Sequence, residues 1–308
     1  MINKIVAIQG NHPSKLKPIS DTTVFLANEI QNKKYRIFYY EPKDLSIVNS
    51  NVIASGFFIK FDYKKDKFFK IIKRAKLDLS KTKFILIRQD PPFNLEYISA
   101  TYILDTIKHK VKILNNPTSI RNVSEKLYSA KYQKYMPKTI FTQNITEIKK
   151  FFKKHKRVII KPIHSYSGND IHLLNKFNLR LISKFIKKHD HIVCQKYLPK
   201  ISKGDKRVFL INGKICGAIS RVPKKGSFLS NMSKGAKPIN IKLTRKENII
   251  SKMIAKDLKK EKIFFAGIDF IDQKLNGDIN VTSPTGLKTL YDLSGINHAK
   301  TFWKELKA

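Results

Sequence analysis

Acidic residues are scarce in this chain. Its 308 residues hold 23 Asp and Glu against 62 Lys and Arg, a formal net charge of +39. Such an excess invites a nucleic-acid reading. The lysines are spread along the whole chain, however, and runs such as Lys149 to Arg157 read as solvated helix faces with an apolar stripe. The chain is also rich in Ile, Asn, Phe and Tyr, as an A/T-biased coding sequence would give. The charge therefore reads first as compositional bias, with only non-specific nucleic-acid contact and some benefit for anionic substrates. There are two cysteines, Cys194 and Cys216, both in apolar runs without a Cys or His at metal spacing. A disulfide framework is excluded, and the pair reads as free thiols in a reducing cytoplasm. No apolar run approaches a membrane span, and Met1-Ile2-Asn3-Lys4 leads straight into a strand-like run with no signal peptide. No Gly-x-Gly-x-x-Gly follows the first strand, so a dinucleotide site is unsupported. Repeats and low-complexity tails are lacking too.

What remains is a chain of 42% hydrophobic residues, enough for two or three compact lobes. Lys4 to Gln9 is a buried strand. Val24, Phe25, Ala27 and Ile30 follow at helical spacing, with Ser20 or Asp21 as N-cap. Arg36 to Tyr40 is a second strand, and the three together open an α/β unit. Residues from about 45 to 75 alternate apolar and basic without a chemical motif. Phe84 to Ile87 is another buried strand, running into Arg88-Gln89-Asp90-Pro91-Pro92-Phe93. Polar residues there lie where open α/β sheets bind ligands, although Arg88 and Asp90 could simply pair with each other. Tyr97 to Lys108 reads as helix and Val111 to Leu114 as strand. Asn115-Asn116-Pro117 stops that strand and marks a domain boundary. Ser119 to Lys131 reads as one helix with Lys126 on a solvated face.

The second half carries the chemistry. Arg157 to Pro162 is a strand whose apolar run closes on Lys161, an ammonium that must find a partner. A phosphate is a natural one. The loop after it, through Ser167 and Gly168, either folds over phosphates with its backbone N–H groups or is a plain hairpin loop. His191 to Pro199 is a strand running out into a hinge. Asn212-Gly213 between apolar runs is a strong hairpin signal. It sets Arg207 at the base of one strand and Arg221 at the far end of its partner, an arrangement suited to a phosphate or carboxylate clamp. Ile249 to Leu258 is a helix, and Ile263 to Asp272 a strand carrying Asp269. Gly277 to Gly286 follows. Residues i and i+2 of a strand share a face, so Asp278 and Asn280 aim two hard oxygens at one point, with Asp269 coming across the hairpin toward them. That donor set suits Mg²⁺. The same stretch also reads as an ordinary strand ending in a polar turn.

Taken in order, these pieces resemble prokaryotic glutathione synthetases, ATP-grasp amide ligases. The matching residues are Arg88 to Phe93, Ile120-Arg121 with Glu125-Lys126-Leu127, Lys161-Pro162, and Gln195 with Tyr197-Leu198-Pro199. They continue through Gly204-Asp205-Lys206-Arg207, Arg221 with Pro223, Gly267-Ile268-Asp269 and Asn280 to Gly286. The resemblance covers almost the whole chain. It implies a fold of mixed α/β and α+β type. An N-terminal Rossmann-like (pre-ATP-grasp) domain, 1–117, would precede a two-lobed ATP-grasp domain, with a central lobe at 118–196 and a C-terminal lobe at 197–308.

The resemblance also implies ATP-dependent joining of γ-glutamylcysteine and glycine through an acyl phosphate, with Mg²⁺ or Mn²⁺, in a cytoplasmic homo-oligomer. Lys126 and Lys161 would hold ATP phosphates under the loop of Ser167 and Gly168. Gln195, Lys196, Tyr197 and Leu198 would take the adenine, and Asp205 would belong to the nucleotide site. Arg207 and Arg221 would stabilise the transferring phosphoryl group. Asp269, Asp278 and Asn280 would hold the metal. Ser283, Thr285, Gly286 and the lid residue Asn231 would seat the dipeptide, with Asp21 and Arg88 reaching in. Three features depart from the family. The phosphate loop, His164 to Gly168, has one glycine; Asp278 stands where the family has glutamate, with one extra residue separating it from Asp269; and the lid, Asn231 to Gly235, is only partly like the family's glycine-rich one. A different amino-acid or dipeptide substrate, or a degenerate scaffold binding nucleic acid, are the alternative readings.

Overall fold

The computed structural model describes residues 4–166 and 168–308. Ser167, one of the residues expected on the phosphates, therefore lies outside the described residues.

The N-terminal domain is built on β1 (Ile5–Gln9), buried along its whole length. After it come α1 (Thr22–Gln31), β2 (Arg36–Tyr40), β3 (Leu45–Val48), β4 (Asn51–Phe61), β5 (Phe69–Asp78) and β6 (Phe84–Ile87). The element order closes with α2 (Leu95–Asp105), β7 (Lys112–Leu114) and the short α3 (Pro117–Asn122). Strands β2, β1, β6 and β7 lie side by side and parallel, while β3, β4 and β5 add an antiparallel extension through β2. The parallel strands are apolar apart from Gln9 and the exposed leading residues Arg36 and Lys112, as strands covered on both faces tend to be. The stretch after residue 45 is a long β4–β5 hairpin. Its outer strand is largely exposed, and Lys73 lies over the Phe58 ring. Asp21 caps α1, accepting from the Val24 N–H at 3.0 Å, a contact worth about 1 kcal/mol.

The central lobe holds β8 (Thr139–Thr142), α4 (Ile145–His155), β9 (Val158–Pro162), β10 (His172–Leu174), α5 (Leu179–His189) and β11 (Ile192–Lys196). Its sheet runs β10-β9-β11-β8, antiparallel throughout. Both helices end in Lys-Lys-His or its like, which complements the negative end of the helix dipole. The lobe has a core of its own, drawn from residues 148–194.

The C-terminal lobe holds β12 (Asp205–Ile211), β13 (Lys214–Val222), β14 (Lys237–Asn240), α6 (Arg245–Lys260), β15 (Phe265–Ile271) and β16 (Lys274–Asn280), followed by α7 (Leu287–Ser294) and α8 (His298–Glu305). Its sheet runs β14-β13-β12-β15-β16. This lobe shares a core with the N-terminal domain, in which Phe25, Leu26 and Ile30 pack with Phe209, Phe302 and Trp303. The Trp303 indole donates to the Leu26 carbonyl at 2.9 Å. Asn115, buried between the two, donates to the carbonyls of Phe265 and Val281 and accepts from the N–H groups of Phe264 and Phe265. Among the described residues, no helix is long and apolar enough to cross a membrane.

One expected element is corrected. Ser119 to Lys131 is not a single helix. α3 ends at Asn122, and a 3-10 segment resumes only at Leu127–Tyr135. Glu125 and Lys126, in the break, turn into the space between the lobes. Lys126 is buried, not on a solvated face.

Candidate active site

The three sheets enclose a cavity of about 450 Å³. Among the described residues, every site residue expected from the sequence lines it, apart from Arg88. Lys126, Lys161, Gly168, Gln195, Lys196, Tyr197 and Leu198 come from the linker, central lobe and hinge. Asp205, Arg207, Arg221, Asn231, Asp269, Asp278 and Asn280 come from the C-terminal lobe. Ser283, Thr285 and Gly286 follow β16, and Asp21 faces them from the N-terminal domain.

On the C-terminal lobe, charge is paired across strands. Asp205 lies opposite Arg221 in the β12–β13 ladder, and Arg207 opposite Asp269 in the β12–β15 ladder. Arg207 grips Asp269 with two parallel hydrogen bonds, Nε to Oδ1 at 2.9 Å and Nη2 to Oδ2 at 2.8 Å. Arg221 pairs with both oxygens of Asp205 and reaches Asp269 Oδ2 at 3.0 Å. Planar guanidinium and carboxylate groups match in this way. Burial opposes the charge on Arg221, but the Asp205 and Asp269 carboxylates outweigh it and raise its pKa. Burial alone would push the Asp269 carboxyl up. The two arginines instead hold it well below the ordinary carboxylate range.

The ladder between β15 and β16 is interrupted beside Asp269. Ile268 pairs with Ile279, but the next pair is Phe270 with Leu275, so Asp269 faces residues 276–278 across an irregularity. Gly277 takes φ +91° there, and a Cβ on it would sit 2.8 Å from Met136 Cε. Past the irregularity the alternation of β16 holds, which turns Asp278 and Asn280 to one face. The Asn280 amide nitrogen lies 3.4 Å from Asp269 Oδ2.

The lysines meet Asp278. Lys161 Nζ donates to Asp278 Oδ2 at 3.2 Å and to the Asn276 carbonyl at 3.1 Å. Lys126 Nζ stands 3.8 Å from Asp278 Oδ1 and donates to the loop carbonyls of Ile163 and Ser165. Burial, and then the neighbouring Lys161 charge, lower the Lys126 pKa, while Asp278 opposes the shift. Two buried ammoniums beside one carboxylate form a site short of negative charge, which an anionic ligand would supply.

Arg88 is placed differently from the expectation. Its guanidinium is buried under the turn after β16, donating to Thr23 Oγ1 at 3.1 Å and to the Pro284 carbonyl at 3.0 Å. It makes no ion pair with Asp90 among the described residues. Ser283 Oγ donates in turn to the Arg88 carbonyl at 3.2 Å. Arg88 thus holds the wall on which Ser283, Thr285 and Gly286 sit.

Two models of prokaryotic glutathione synthetase match the chain, the N-terminal domain over residues 5–121 and the ATP-grasp domain over residues 125–295. A glutathione synthetase of Agrobacterium fabrum is 33% identical over 99% of this chain and 96% of its own length. One from Buchnera aphidicola subsp. Baizongia pistaciae is 36% identical over 90% of this chain and 87% of its own. The chain belongs to the prokaryotic glutathione synthetase family. Its fold is also that of D-alanyl-alanine synthetase A from Vibrio cholerae, with TM-score 0.61, 15% identity, and coverage of 98% of this chain and 97% of that one. A RiPP-associated ATP-grasp ligase of Chryseobacterium gregarium, solved with ADP and a leader and core peptide, has TM-score 0.66 at 16% identity, covering 98% and 97%.

In this member of the glutathione synthetase family, some cavity residues went unsingled in the sequence. Glu125 is one. Its Oε1 accepts from the N–H groups of Val281 and Thr282 and from Thr282 Oγ1. Its only signal was its place beside Lys126. Tyr166 and Phe228 to Ser230 also line the cavity, as does Asp90, which the sequence offered either for ligand binding or as a partner of Arg88. The loop that carries Asn231 meets the loop after β9 at Gly168, where an added Cβ would press on Asn231 Oδ1.

Proposed function

We propose that the chain activates the cysteinyl carboxylate of γ-glutamylcysteine with ATP and passes the resulting acyl group to glycine, giving glutathione, ADP and phosphate. ATP-dependent formation of glutathione is the activity of its family. The acyl-phosphate route and the residue roles are our reading. One observation carries it: cations from the linker, central lobe and C-terminal lobe, with carboxylates from β15 and β16, converge on a single cavity.

Phosphoryl transfer needs positioned cations more than covalent help. Lys126 and Lys161 lie where they can take phosphate oxygens, and Arg207 and Arg221 where charge develops as the phosphoryl group moves. Gln195 to Leu198, at the hinge, suit the adenine. Asp269, Asp278 and Asn280 offer hard oxygens on one wall, a donor set that fits Mg²⁺ or Mn²⁺. Such a cation would supply charge neutralisation for the triphosphate. The phosphate loop and the lid residue Asn231 exclude water from the acyl phosphate. Asp21, Ser283, Thr285 and Gly286 line the dipeptide end. The free thiols Cys194 and Cys216 fit a reducing cytoplasm.

Incubation with ATP, Mg²⁺, γ-glutamylcysteine and a panel of amino acids tests this. Glycine-dependent release of ADP with matching glutathione is the expected outcome. ADP release that follows another amino acid would reassign the substrate, and none with any amino acid would end the ligase reading.

A further inference from the structure

We propose that Glu125 receives the amine of the incoming amino acid. The inference rests on the ligase reading above and gives a task to a residue which that reading leaves idle.

Six carboxylates line the cavity, namely Asp21, Asp90, Glu125, Asp205, Asp269 and Asp278. Three are neutralised by the protein itself. Asp205 pairs with Arg221, Asp269 with both arginines, and Asp278 with Lys161 and Lys126. The other three make no ion pair among the described residues. Asp21 caps α1 and Asp90 accepts from Asn11, so both stand on the N-terminal wall. Glu125 stands elsewhere, against the end of β16. Its Oε1 is fixed by three donors, the Val281 N–H at 2.9 Å, the Thr282 N–H at 3.1 Å and the Thr282 hydroxyl at 2.8 Å. Its Oε2 has no hydrogen-bond partner among the described residues. The side chain is therefore held still with one acceptor oxygen uncommitted.

The position matters as much as the freedom. Glu125 grips Val281 and Thr282, so it lies between Asn280 on the phosphate side and Ser283 on the dipeptide side. A nucleophile must enter at that junction to reach the acyl carbon. An amino acid arrives at neutral pH as an ammonium, and the phosphate side of the cavity is crowded with Lys and Arg. A carboxylate with an uncommitted oxygen, even with Lys126 beside it, is the group that can seat it there. The dipeptide carries an ammonium of its own, and Asp21 with Asp90 supply anions for it at the other wall.

The step balances as follows. Glu125 Oε2 takes one proton from the ammonium. The freed lone pair forms the C–N bond to the acyl carbon, and the C–O bond to phosphate breaks, the phosphate leaving with that electron pair. The second proton lost by nitrogen goes to the departing phosphate.

Glu125→Gln in the full chain tests the proposal, because the amide keeps an oxygen for the same three donors and removes only the charge. The KM for glycine should rise about 10- to 100-fold, the range for losing a hydrogen bond to a charged group. The KM values for ATP and γ-glutamylcysteine should stay within about twofold, since only the glycine contact is removed. Hydroxylamine, uncharged at neutral pH, should still trap the acyl phosphate as hydroxamate in the variant as well as in the wild type. Thr282→Val, which removes one of the three donors to Oε1 and keeps the charge, should raise the glycine KM by much less than Glu125→Gln does. An unchanged glycine KM in Glu125→Gln, or hydroxamate lost in step with glutathione, would overturn the proposal. A wild type that forms no peptide bond with any amino acid would instead sink the ligase reading, and this inference with it.

Discussion

On the C-terminal lobe the charged groups of the cavity are paired across regular strands. On the opposite side, the lysine of the linker reaches into a loop. Arg207, Arg221, Asp205 and Asp269 form a closed set of bidentate contacts on β12, β13 and β15, each set by strand register. Lys126 holds the 163–165 turn through two carbonyls and shares Asp278 with Lys161. The first arrangement exists without a ligand and is stiffened by the sheet. The second uses lone contacts to carbonyls and one carboxylate, which on the reading proposed above a phosphate would replace. One wall is set by strand register and the other by a loop.

Breaking the strand-set wall should have the largest effect on the fold. Arg221→Met leaves Asp205 without its cation and Asp269 with one, so urea unfolding should show a loss of about 3–5 kcal/mol, the usual result of orphaning a buried charge. A near-normal midpoint would mean the network is not needed for stability. On the other wall, Lys161→Ala should reverse the pattern. Its partner Asp278 is partly solvated and keeps Lys126 nearby, so the loss of unfolding free energy should be smaller than that of Arg221→Met. Glutathione formation should fall by about 100-fold or more, as when one preorganised donor is lost. Near-normal turnover would show that the phosphates lie elsewhere.

Acid sharpens the same contrast. The native pKa of Asp269 is depressed, so its contribution to stability is full above the ordinary carboxylate value of about 4 and is lost as pH falls through its lower native value. The difference in melting temperature between wild type and Asp269→Asn should be constant near neutrality and shrink below about pH 4. A difference that grew in acid would contradict the pairing. The smallest effect belongs to the loop-set wall. Gly168→Ala should lower stability by only about 1 kcal/mol, the strain of a left-handed residue. The new methyl would still push Asn231 away, so acyl-phosphate leakage, read as ADP released without glutathione, should increase.

The parts legible in the sequence were those in which local pattern and tertiary demand agree. The i, i+2 spacing of Asp278 and Asn280 survives because β16 alternates in and out. Asn212-Gly213 brings Arg207 and Arg221 together through an ordinary hairpin. The reading failed where a distant contact outweighed local preference. Residues 119–131 have helical composition, but Glu125 leaves the helix to bind backbone N–H groups 156 and 157 positions away, and Lys126 follows it into the cavity. Strand β5 went unread because none of its residues is buried, so its alternation of apolar and basic residues marks no core face. Arg88 was expected in the cavity, but its hydrogen bonds to Thr23 and Pro284 are invisible to a one-dimensional reading. Asn115 ended a strand by pattern, and nothing local revealed its four backbone partners.

The seam between the N-terminal domain and the C-terminal lobe has a mechanical consequence. Trp303, Phe302 and the buried amide of Asn115 weld those two bodies together, while the four-stranded lobe keeps its own core apart. Of the three bodies, the four-stranded lobe is the one whose core leaves it free to move as a unit. On the reading proposed above, the acceptor's pocket would then stay assembled while the nucleotide enters and leaves by a single door.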